Sequence, residues 1–73
     1  MNTMNNKECL SYVKSEAKKI GLTLREKNMT INNAKAYKFI ERGNVHNTIV
    51  DNMTLIMALN RVCSGELKDW KNW

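Results

Sequence analysis

Residues 22–43 read LTLREKNMTINNAKAYKFIERG, and the fold turns on how this stretch is parsed. The spacing of apolar residues shifts here from helical to short alternation, which marks strands. Asn32 and Asn33 tolerate positive φ and sit between the two runs, so the stretch reads as a β-hairpin. Charge suggests its register. A two-residue turn sets Lys27 opposite Lys38, a like-charge pair, whereas a three-residue turn sets Arg25 opposite Glu41 and Met29 opposite Tyr37. The second register is the expected one.

Upstream, Leu10, Val13, Ala17 and Ile20 recur at three and four residues, with Cys9 and Tyr12 widening the stripe and Lys7, Lys14 and Lys18 on the other side. Asn5 or Asn6 caps the start, with Glu8 in the first turn. Lys18 and Lys19 favour the dipole at the end, and Gly21 stops the helix. Downstream, Arg42, Gly43 and Asn44 form a turn that places His46, and the β-branched NTIV makes a third short strand beside the second. Asp51 or Asn52 then caps MTLIMALNRVC, and Gly65 ends it. This second helix has little polar face and requires cover on more than one side.

The expectation is therefore an α+β fold, one domain over residues 1–73, in the order α-β-β-β-α. It has a three-stranded antiparallel meander, both helices on one face, and a short C-terminal helical turn or lid over 66–73. Residues 1–5 are expected to be disordered. In that last segment Leu67, Trp70 and Trp73 fall at i, i+3 and i+6, one side of a helical turn. They form either a plug over the second helix or a protein-binding patch, since an aromatic cluster beside an apolar helix also describes a dimer interface or a hot spot.

At 73 residues and 42% hydrophobic composition, the chain is near the lower size for a self-supporting core. It has no run apolar enough to span a membrane, and its start lacks the pattern of a signal peptide, so a cytoplasmic location is expected. Cys9 and Cys63 lack CxxC or Cys/His spacing and fall on apolar helix stripes. Buried reduced thiols are the expected reading and a disulfide the other. The net charge is +5, and the excess is uneven: residues 1–42 carry nine bases and four acids, residues 43–73 three of each. A binding surface that uses charge would lie in the first part.

No catalytic chemistry is legible. His46 is the single histidine, without ligand spacing to another, so no metal site or other cofactor is expected. The serines lack a nucleophile motif, the carboxylates are interleaved with bases, and there is no glycine-rich loop. Two binding readings remain. Lys14, Lys18, Arg25, Lys27, Lys38 and Arg42 can form a continuous basic surface for nucleic acid across the first helix and the hairpin, with Tyr37 and Phe39 available to stack bases if their face is open. Alternatively, Leu67, Trp70 and Trp73 contact a protein, and self-association as a homodimer is a variant of that reading.

The element order resembles the double-stranded-RNA-binding domain in outline. In that family the second helix opens with lysines that contact phosphates. Here the corresponding stretch is DNMTLIMALN, acidic and apolar, and none of the family's binding residues carries over. Over residues 7–67, AYKFIERG, the short third strand, DNMTL and VCSGEL look like small proteins encoded in phages and prophages. That resemblance implies a phage or mobile-element origin and no particular activity. It also implies a non-enzymatic accessory protein that occupies a surface on a host macromolecule, such as a defence or regulatory complex, in the host cytoplasm.

Overall fold

A computed structural model describes residues 5–73. The order is α1 (Asn6–Lys19), β1 (Leu22–Ile31), β2 (Ala34–Glu41), β3 (Asn44–Met53), α2 (Leu55–Ser64) and a C-terminal 3-10 helix (Glu66–Asn72). The fold is thus α+β in the expected order. The disorder expected at the start falls largely on residues 1–4, outside the described residues. The Asn5 side-chain oxygen accepts from the Glu8 backbone N–H at 2.8 Å and caps α1.

The sheet is antiparallel with order β1-β2-β3, so β1 and β3 are both edges. Its register corrects the expectation drawn from charge. Asn32 and Asn33, at φ 50° and 68°, form a two-residue turn with Ile31 opposite Ala34. The ladder then slips between Thr30 and Glu26, so that Glu26 pairs with Tyr37, Arg25 with Lys38 and Leu24 with Phe39. Met29 does not face Tyr37, nor Arg25 Glu41. The physical reason is parity: a three-residue turn would place Arg25 and Lys27 on the side of Tyr37 and Phe39 and turn Leu22 and Leu24 away from it. The observed register puts all four apolar residues on the side covered by the helices.

That side holds the core. Val13 and Ala17 of α1, Leu22 and Leu24 of β1, Tyr37 and Phe39 of β2, Met53 of β3, Ala58 of α2 and Leu67 and Trp70 form one buried cluster. Both helices pack there, α1 against β1 and α2, and α2 against all its neighbours in turn. Tyr37 and Phe39 are therefore spent on the core and are not open to stack bases.

Four further expectations change. β3 is not short: it runs ten residues, takes in His46 as an exposed strand residue, and extends through Met53. Asp51 and Asn52 consequently belong to β3, with Asn52 at φ 54°, and the cap of α2 is Thr54, whose hydroxyl accepts from the Met57 N–H at 3.4 Å. Helix α2 is also less covered than its composition requires, because Ile56 and Met57 remain exposed. Cys9 is buried as expected, but Cys63 lies at the surface, and both thiols are free.

The C-terminal segment is a plug. Its 3-10 geometry brings residues three apart onto one line, and Leu67 and Trp70 are buried along it. The Trp70 indole Nε1–H donates to the Ile20 carbonyl at 2.6 Å, closing the end of α1 from fifty residues downstream. Gly21, at φ 83°, turns the chain out of α1 directly against that indole. Among the described residues, no helix is long and apolar enough to cross a membrane.

Candidate functional site

Of the six bases that the sequence marks for anion binding, Lys14 and Lys18 stand on α1, on the helix side of the sheet, while Arg25 and Lys38 leave the strands on the other side. Four of them converge. Lys14 and Lys18 are one turn apart on α1 and project from the same side of the helix. Arg25 stands opposite Lys38, so its side chain leaves β1 on the reverse face and borders the groove from the strand edge. Arg42 sits in the β2–β3 turn, where its backbone N–H donates to the Gly21 carbonyl at 2.9 Å and ties that turn to the end of α1. Together they line an open groove of about 480 Å³ between α1 and the edge of β1. Leu10, Leu22, Leu24 and Tyr37 also line it.

The electrostatics of the groove are one-sided. All four bases are exposed, and among the described residues none takes part in an ion pair. The one carboxylate in the lining, Glu26, already faces the Lys35 ammonium at 3.4 Å. An anion entering the groove would thus meet cations whose charge is balanced only by solvent and salt.

Lys27 and Lys38 belong to the reverse face. Lys27 leaves β1 and reaches Asp51 on β3 at 2.7 Å, and it also donates to the Asn52 side-chain oxygen at 2.7 Å. To do so it must pass over β2, which lies between the two strands. The small, fully buried Ala36 on that strand leaves room for the lysine stem. The hydrogen bond from Lys27 holds the Asp51 carboxyl below the usual aspartate range, with the Asn52 backbone N–H and the Lys38 charge adding to the effect. Lys38 stands beside this pair and directly opposite Arg25. Lys27 is therefore engaged in bracing the sheet and is withdrawn from the groove.

Of the three C-terminal residues marked for a protein contact, Leu67 and Trp70 are turned into the core. Trp73 is outside, 62% exposed. Lys7 and Lys35, also basic, line a second, more apolar groove with Leu55 and Ile56, which adjoins the first at Leu10 and Tyr37. The spacing of Lys14 and Lys18 was visible in the sequence, but the arrival of Arg42 beside them depends on the Gly21–Arg42 hydrogen bond, which no local pattern encodes. Among the described residues no three His, Cys, Asp or Glu side chains gather.

No family model, curated protein or solved structure matches this chain.

Proposed function

We propose that this is a non-enzymatic binding protein whose working surface is the basic groove between α1 and β1, and that it takes an anionic macromolecule. The observation that carries this reading is that four exposed, unpaired bases border one open groove. Charge gathered this way steers an anionic partner to one place on the surface. The likeness of residues 7–67 to small phage and prophage proteins supports a partner from the host cell, met in its cytoplasm and occupied rather than chemically altered. Inhibition of a host defence or regulatory complex is the role that this likeness favours.

The test is a titration of the purified protein with labelled polyanions, poly-L-glutamate and single- and double-stranded DNA, between about 50 and 200 mM salt. Binding should weaken steeply over that range and fall by about tenfold or more in the Lys14→Glu/Lys18→Glu variant. A Lys68→Glu/Lys71→Glu variant carries the same change in net charge away from the groove and should bind as the parent does. Equal weakening in both variants would reduce the effect to net charge and remove the groove from the account.

A further inference from the structure

Resting on that reading of the groove, we propose that its occupant is an extended acidic segment of another protein, which adds to the sheet as a fourth strand along Leu22–Glu26. The two free edges of the sheet differ. On the β3 side the ladder shifts register repeatedly, between Tyr37 and Phe39, between Phe39 and Ile40, and again before Glu41. Such an edge is bent and a poor template for pairing. On the β1 side, Leu22 to Glu26 pair with β2 in unbroken register, and the slip begins only beyond Glu26. Five consecutive residues thus present a regular edge about 17 Å long.

The edge is also unoccupied. Outside the sheet ladder, and among the described residues, no hydrogen bond involves a backbone group of Leu22–Glu26. The groove runs beside this same segment, so a strand laid in it would find both main-chain partners and charge. Side chains of an added strand alternate between the two sheet faces. On the helix side they would meet Lys14 and Lys18 above Leu10 and Leu24, and on the reverse side Arg25. A segment alternating acidic and apolar residues matches that arrangement on both faces.

Nucleic acid fits it less well. Tyr37 and Phe39 are 7% and 0% exposed, so the groove offers no aromatic face on which bases can stack. It would contact phosphates alone and leave the unpaired strand edge unused.

The deciding experiment measures fluorescence anisotropy with a labelled peptide of alternating glutamate and valine, the same peptide with alternate backbone nitrogens methylated, and a single-stranded oligonucleotide, each at about 50 mM salt. The parent peptide should bind, slow exchange of the outward-facing amides of Leu22–Glu26, and lose affinity about tenfold or more both on N-methylation and in Lys14→Glu/Arg25→Glu. The Lys68→Glu/Lys71→Glu variant should retain it. If the methylated peptide binds equally well, or if the outward-facing amides of Leu22–Glu26 gain no protection from the peptide, strand addition is overturned while the anionic-partner reading stands. Tighter groove-dependent binding of the oligonucleotide would replace the peptide by nucleic acid. If no polyanion binds, both readings fall together.

Discussion

Trp70 and Trp73 are three residues apart and have opposite fates, one buried under α1 and one left in solvent. Replacing Trp70 by Phe keeps most of the ring but leaves the Ile20 carbonyl without its donor, and should cost about 1–3 kcal/mol in urea denaturation. Trp73→Phe should change stability by no more than about 0.5 kcal/mol and leave a blue-shifted emission that acrylamide quenches poorly. A red-shifted, freely quenched signal from that variant would contradict the buried position of Trp70. The thiols divide in the same way. Cys63 should react with Ellman's reagent in the native protein, whereas Cys9, its thiol pushed up first by burial and then by the neighbouring Cys63, should react only on unfolding. Spacing alone could not separate these pairs, because Cys9 and Cys63 both fall on apolar stripes. A stripe tells which side of a helix is apolar, not how far the neighbouring element extends over it.

For the hairpin the informative signal was the alternation of Leu22, Leu24, Tyr37 and Phe39 rather than the pairing of charges. A like-charge pair costs a fraction of a kcal/mol up to about 1, whereas a flipped register exposes several core side chains at about 1.5–3 kcal/mol each. The fold accordingly accepts Arg25 opposite Lys38 and keeps the apolar face intact. The slip beyond Glu26 was not legible, since nothing local distinguishes Lys27, Asn28 and Met29 from ordinary strand residues. The two asparagines of the turn both adopt positive φ, and glycine does so at lower cost. Asn33→Gly should therefore raise the denaturation midpoint modestly. Across the sheet, the Lys27–Asp51 pair depends on pH. Because the Asp51 carboxyl is depressed in the folded state, its contribution is fully present above the ordinary aspartate range and is lost as pH falls through the depressed value. An Asp51→Asn variant should show a flatter acid limb in a pH series of thermal melts.

At the scale of the whole molecule, the order of elements and the concentration of charge in the first forty-two residues could both be read in advance. What could not be read was the division of those charges between two faces of a thin body measuring 36 × 27 × 17 Å. Helices cover one face of the sheet. On the other, Ala36 and Ile40 are buried without belonging to the main core, and Lys27 crosses this face to reach Asp51. Removing that lysine stem should therefore matter more than removing a groove lysine. Lys27→Ala should lower the melting temperature, while Lys14→Ala should leave it unchanged within a degree or two and act only on binding. The hydrogen bond from Trp70 to Ile20 has a consequence for how the chain acquires this shape during synthesis. Helix α1 and the hairpin leave the ribosome first, but the seat beneath Gly21 stays vacant until Leu67 and Trp70 have followed. The nascent N-terminal part should therefore collapse only loosely, and its native arrangement should lock in once the Trp70 ring, made fifty residues after Ile20, reaches the end of α1.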